Sequence, residues 1–152
     1  MSKITDIRDA LETLVAASFT GFKKIPNPYL IERNANVFID KGYGIAIGPA
    51  ERVNLELCRM AFNRFFNIPI IHVIGTQNDI DHREAAEQTL LEALQTFRLK
   101  LERDDNTLGG NAIKSDYEGD SGIEVIIAQD STAPRYYLLS LSVSVLYQES
   151  IV

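Results

Sequence analysis

Ser140, Ser142 and Ser144 occupy alternate positions of "YYLLSLSVSVLYQES", the stretch from Tyr136 to Ser150. A serine hydroxyl becomes a nucleophile when a base lies within hydrogen-bond reach and a sharp turn or helix end presents it. This chain has two imidazoles, His72 and His82, and no G-x-S-x-G. The serines interleave with Tyr137, Leu139, Leu141, Val143, Val145 and Tyr147. Strict alternation places them on one face of a strand whose other face is apolar. They read as a surface, either solvated or covered by another copy of the chain, and no catalytic residue is assigned.

Metal chemistry would need ligands at recognisable spacing. His72, Asp79, Asp81, His82 and Glu84 are close in sequence. Their spacing fits no H-E-x-x-H helix, no EF-hand loop and no zinc knuckle. Asp81 followed three positions later by Glu84 reads as an acidic capping box at a helix start. His72 alternates with isoleucines as a hydrogen-bonded strand histidine would. Asp116, Glu118 and Asp120 could hold a hard cation, although a solvated, mobile loop accounts for them better. Gly109-Gly110 and Gly119 to Gly122 do not join a strand to a helix and precede no Lys-Ser/Thr pair, so they form no phosphate cradle. No metal and no cofactor is expected.

The positive groups of the first half are Lys23, Lys24, Arg52, Arg59 and Arg64, with Phe65 and Phe66 directly after Arg64. Arginine beside aromatic rings suits protein interfaces and nucleic-acid grooves alike. In a chain of net charge −6, an acidic protein partner or a neighbouring subunit is the better match. Candidate interface residues are therefore Arg52, Arg59, Arg64, Phe65, Ser140, Ser142 and Ser144.

The elements that must position these groups follow from periodicity. Ile4, Ile7, Leu11, Leu14 and Val15 recur at helical spacing and predict an amphipathic first helix ending near Gly21. Pro26 and Pro28 favour an extended connector. "YGIAIGP" predicts a strand that stops at Gly48-Pro49. From Val53 to Ile74 the apolar parity switches near Leu57, which predicts a β-bulge or a bend there. Pro69 places "IPIIHVIG" at a sheet edge or irregularity. Ala86, Leu90, Ala93, Phe97 and Leu101 form one stripe of a long second helix. Residues 104–121 are polar and glycine-containing, and predict a flexible loop. Ile123 to Ala128, the turn "DSTAP" and the serine stretch predict a C-terminal hairpin. Clustered strands with two helices predict an α+β fold, a mainly antiparallel sheet with both helices on one face and the other face open.

The 152 residues suit a single domain. One cysteine, Cys58, excludes an internal disulfide and reads as a buried, inert thiol. No apolar run has the length of a membrane span, and the N-terminus lacks the layout of a signal peptide, so the expected compartment is cytoplasm.

With no catalytic constellation and an open strand face, the layout resembles the tail terminator (tail completion) proteins of long-tailed bacteriophages. The likeness lies in "YGIAIGP", "NRFFNIPIIHVI", the helix beginning "DIDHREAAEQTLLEAL", and "RYYLLSLSVSVLYQE". It covers nearly the whole chain as element order and texture, and no short motif is diagnostic. It implies a structural virion protein without enzyme activity. Six copies would form a ring that caps the tail tube, contacts the tail tube protein, and offers a head completion or neck protein its docking surface. Such a ring would be assembled in host cytoplasm, touch no membrane, and let DNA pass only as cargo through an acidic channel. Other neck or tube components of the same fold stand beside this expectation. So do a small metal-dependent nuclease built on the Asp/His/Glu group and an adaptor that binds through Arg59 to Phe66.

Overall fold

The computed structural model describes residues 2–25, 28–29, 41–55, 59–75, 80–126 and 135–149. Helix α1 spans Lys3–Ser18. Its N-cap is Ser2, whose Oγ accepts from the Thr5 backbone N–H at 3.1 Å, satisfying one of the orphan donors of the first turn. Ile7, Leu11, Leu14 and Val15 form its buried stripe. Helix α2 spans Ile80–Leu99 and runs into a π-helical turn, Lys100–Asp104. Ala86, Leu90, Leu94, Phe97 and Leu101 are its buried residues, close to the predicted stripe, with Ala93 partly buried. Because α2 begins at Ile80, Asp81 lies inside the first turn and is not its N-cap. Asp79 lies outside the described residues.

Six strands build one mainly antiparallel sheet: β1 (Lys23–Lys24), β2 (Lys41–Tyr43), β3 (Ala46–Leu55), β4 (Arg59–Gly75), β5 (Lys114–Ile126) and β6 (Arg135–Glu149). The order is β1-β2-β4-β6-β5, with β3 also on β4, and only the short β1–β2 pair is parallel. β4 and β6 pair from Met60–Glu149 to Gly75–Arg135. Since β6 lies between β4 and β5, the connection through α2 is a split β-α-β unit. β2 and β3 meet the same side of β4 in one unbroken register, from Lys41–His72 to Ile47–Phe66.

The odd-numbered residues of β6 from Tyr137 to Tyr147 face the helices. They pack with Phe66, Ile68, Ile70 and the buried stripes of both helices in one core. The even-numbered residues face away. At one end of that second face Ile25, Ile71, Tyr136 and Leu138 form a separate buried apolar cluster. The expected α+β fold, with both helices on one sheet face, is therefore the observed one.

Several local expectations need correction. β3 does not stop at Gly48-Pro49. It bulges between Ile47 and Ala50 and continues to Leu55, so proline here is absorbed by a register shift rather than ending the strand. The parity switch near Leu57 marks a hairpin reversal: Leu55 pairs with Arg59 across residues 56–58, which lie outside the described set with Cys58 among them. Of the two settings expected for Pro69, the edge is not met, because β4 has neighbours on both sides, and the irregularity is, because the strand opposite is interrupted at residues 44–45.

The predicted loop 104–121 shrinks to residues 105–113, since β5 starts at Lys114. β5 hides from a parity reading because it is an outer strand with exposed polar residues and two irregularities, at Glu118 and at Ser121-Gly122. Gly119 and Gly122 take positive φ of 140° and 73° at these bulges. The turn "DSTAP" lies outside the described residues.

Candidate functional site

The face of the sheet away from the helices is built from alternate residues of three long strands. Ser140 lies opposite Pro69, Ser142 between Asn67 and Gly119, and Ser144 between Phe65 and Asp116. Directly opposite residues in an antiparallel pair share a face. Asn63, Phe65 and Asn67 of β4 therefore stand on the same surface as the serines. Ser140 and Ser142 are half-buried, but Ser144 is 2% exposed. Its Oγ donates to Glu118 Oε1 at 2.6 Å, so the bulge residue of β5 folds its carboxylate over the strand. At the second bulge Ser121 Oγ accepts from the Ser140 backbone N–H at 3.1 Å, restoring a ladder bond that the bulge removes.

Ile25, Pro28 and Tyr29 close one margin of this face. Gly42 and Gly44 leave room for them. A Cβ on Gly42 would lie 2.8 Å from Ile25 Cγ1, and one on Gly44 would lie 2.5 Å from Pro28 Cβ. Tyr29 Oη accepts from the Ile47 backbone N–H at 3.0 Å. On the β5 side the carboxylates of Asp116, Glu118 and Glu124 border the hydroxyls. Lys114 Nζ lies 3.4 Å from Asp116 Oδ2.

The predicted interface residues fall into two groups on opposite faces. Phe65 and the three serines share the open face. Arg64 and Arg52 lie on the helix side, because Arg52 pairs with Phe62, whose ring stacks 5.9 Å from that of buried Tyr147. Arg52 is exposed. Arg64 is half-buried; its Nε donates to Tyr147 Oη at 3.1 Å and its Nη1 to the Gly48 carbonyl at 2.8 Å. Arg59 begins β4, opposite Leu55. Arg52 and Arg64 thus lie on a different surface from the serine strip. Sequence reading missed Glu118 and the two asparagines. The asparagines were findable, since Asn63, Phe65, Asn67 and Pro69 alternate with the apolar residues of β4. Glu118 was hidden by the bulge.

Among the described residues the base found at these hydroxyls is the Glu118 carboxylate, which accepts from Ser144. His72, 6% exposed, sits on the helix side with its Nδ1 2.8 Å from the Val73 carbonyl and its ring edge-on to Phe22. Glu84 is exposed on α2. Among the described residues no three His, Cys, Asp or Glu side chains gather as metal ligands. Asp120 is held locally, accepting from Tyr117 Oη and from the Gly122 N–H. An open cleft of about 670 Å³ between the start of α1 and the end of β6 is lined by Lys3, Asp6 and Glu149 among others.

Two tyrosine hydroxyls are held above the ordinary tyrosine range. For Tyr137 burial is the first cause and the nearby Glu87 carboxylate adds to it. For Tyr117 burial again leads, followed by its bond to Asp120. Both stay protonated, as donors rather than nucleophiles. No helix among the described residues is long and apolar enough to cross a membrane. The sequence matches no protein-family model, and it matches no curated protein.

Proposed function

We propose that this chain is a structural virion protein, a tail terminator whose copies form a ring, six in number, that caps the tail tube and offers a head completion or neck protein its docking surface. The observation that supports this most is the open face of the sheet. Two long strands, β4 and β6, turn one side to the core and carry mid-way along the other a strip of small hydroxyl and amide side chains, Ser140, Ser142, Ser144, Asn63 and Asn67, with Phe65 and Pro69 among them. A monomer gains little from so long a polar strip. A ring gains a surface that a neighbouring copy approaches closely, or a wet wall for a channel. The order of helix, hairpin, long helix and C-terminal hairpin supports the same reading.

In this reading the chain performs no catalysis, and its work is done by contact. The interface in a closed ring is heterologous, one surface of each copy against a different surface of the next. The helix-side patch of Arg52 and Arg64 and the opposite face of Phe65 and the serines meet that requirement of two unlike surfaces on one chain. Passing DNA would meet hydroxyls and carboxylates if the open face lines the channel, a surface without the basic footprint that binds phosphates.

The test is the light-scattering mass of the purified chain over a wide concentration range, repeated with tail tubes added. A discrete mass of six copies, or a ring that forms on tube ends, is the expected result. A chain that stays monomeric at every concentration and ignores tail tubes would overturn the proposal.

A further inference from the structure

The two edges of the sheet carry charges of opposite sign in matching rows of the ladder. Lys23 of β1 lies opposite Gly42, and its row continues through Ile71 and Leu138 to Glu124 of β5. A second row begins at Glu51 of β3 and runs through Asn63 and Leu146 to Lys114 of β5. Residues of one row share a face, so all four charges stand on the open face that carries the serines. Lys24, the next residue of β1, reaches Glu12 of α1 on the other face at 2.8 Å. All four charged residues are exposed. Lys23, Glu51 and Glu124 have no ion-pair partner among the described residues, and Lys114 has the half-exposed Asp116 at 3.4 Å.

We propose that copies of the chain join head to tail through these edges, the β1/β3 edge of one copy against the β5 edge of the next. Lys23 then meets Glu124 and Glu51 meets Lys114 across each joint. This inference rests on the ring reading and names its contact. With the ring axis along the strands, rotation from copy to copy keeps every row at its height, so the two ends of one row meet. In both rows a cation then meets a carboxylate. Two β5 edges face to face would instead bring Asp116, Glu118, Asp120 and Glu124 against the same four carboxylates.

The outlines of the edges also correspond. β1 lies outside β2, so that edge steps outward by one strand, about 4.8 Å, between Ile47 of β3 and Lys24 of β1. The rows of Ile47 and Lys24 pass through Phe66 and Ile70 of β4. On the far edge both bulges of β5 lie between Tyr117 and Ile123, whose rows pass through the same Phe66 and Ile70. A bulge bends its strand, so β5 changes line at the height where the opposing edge steps. Exposed ion pairs are weak singly and screened by salt, so the joint gains strength by repetition round the ring.

Cysteine cross-linking tests the joint. A chain carrying both Lys23→Cys and Glu124→Cys, assembled alone or on tail tubes, should oxidise into a ladder of covalent oligomers up to six copies. Either substitution alone should cross-link no more than Ala16→Cys, which is exposed on α1. A double variant at the level of Ala16→Cys, or a single variant that dimerises as fast as the double, overturns the proposal. Charge reversal reads the same joint without new cysteines. Lys23→Glu should raise the concentration at half-assembly at least tenfold, and adding Glu124→Lys should restore it. A double reversal no better than Lys23→Glu alone also overturns the joint. The two readings fail differently: a six-copy mass without these cross-links removes the joint and leaves the ring, whereas a chain monomeric with and without tail tubes removes both.

Discussion

Arg64 and Tyr147 join adjacent strands on the helix side of the sheet, with the guanidinium Nε donating to the phenol oxygen at 3.1 Å and Nη1 reaching the Gly48 carbonyl at 2.8 Å. One side chain of β4 thereby ties β6 to the bulge of β3. Tyr147 is completely buried, and Arg64 is the partner recorded for its hydroxyl.

Tyr147→Phe should therefore cost about 1 kcal/mol, the net value of a hydrogen bond to a charged donor that water can still partly reach. Urea unfolding is the measurement, and an unchanged midpoint would show that the contact contributes nothing. Arg64→Glu should cost more, since a carboxylate replaces two donors and faces the Gly48 carbonyl. A lost partner in that variant would then report a damaged hairpin. Arg52→Glu, at an exposed site on the same side, is the cleaner probe of a binding surface.

The serine strip separates into unlike positions. Ser144 is buried and bonded to Glu118 at 2.6 Å, whereas Ser142 is half-exposed between Asn67 and Gly119. Ser144→Ala should lower stability by about 1 kcal/mol and Ser142→Ala by a few tenths at most. Thermal unfolding of the two variants side by side checks this. Equal effects would mean that Glu118 does not hold Ser144 in solution.

Much of the fold was legible because its period signals are strong. The α1 stripe, the α2 stripe and the β6 alternation each place a buried face correctly, and together they give the α+β arrangement with one open face. Much of what failed lies in irregular strands. A bulge shifts parity by one residue and breaks the alternation that identifies a strand, as at Gly48-Pro49, Glu118 and Ser121-Gly122. The site was half legible. Phe65 and the serines do share a face, but Arg52 and Arg64, grouped with them, lie on the other, because the side of a strand depends on parity. Arg64 and Phe65 are neighbours that must point oppositely.

Pro69 shows how a central strand tolerates proline. Within an antiparallel pair a residue turns its N–H and C=O to the same neighbour. Gly44 N–H donates to the Pro69 carbonyl at 3.0 Å, so Pro69 would have returned its own N–H to Gly44. It has none, and the strand opposite is interrupted there, at residues 44–45, between β2 and β3. The interruption also lets Pro28 lie against Gly44. Gly44→Ala should displace that segment, because its Cβ would fall 2.5 Å from Pro28 Cβ, at a cost of about 1–3 kcal/mol for overpacking. The local reporter is the Ile47 amide, held by Tyr29 Oη. Hydrogen exchange there should accelerate in Gly44→Ala by more than at Ile70 on β4, and uniform acceleration would mean global destabilisation instead.

The two raised tyrosines set a direction for alkaline behaviour. Burial, with Asp120 beside Tyr117 and Glu87 beside Tyr137, favours the neutral phenol in the folded chain. An unfolded tyrosine loses its proton near pH ~10. Below that value both states keep the proton and these groups add no pH dependence. As pH climbs past it, the unfolded chain releases protons that the folded chain retains, so stability falls. The urea midpoint should be flat from about pH 8 to 9 and drop toward about pH 11. Tyr117→Phe and Tyr137→Phe each remove one such group. Either variant should start from a lower or equal midpoint at pH 8, having lost a bond to Asp120 or Glu87, and then decline more gently. Slopes identical to the wild type in both variants would show that other groups govern the alkaline loss.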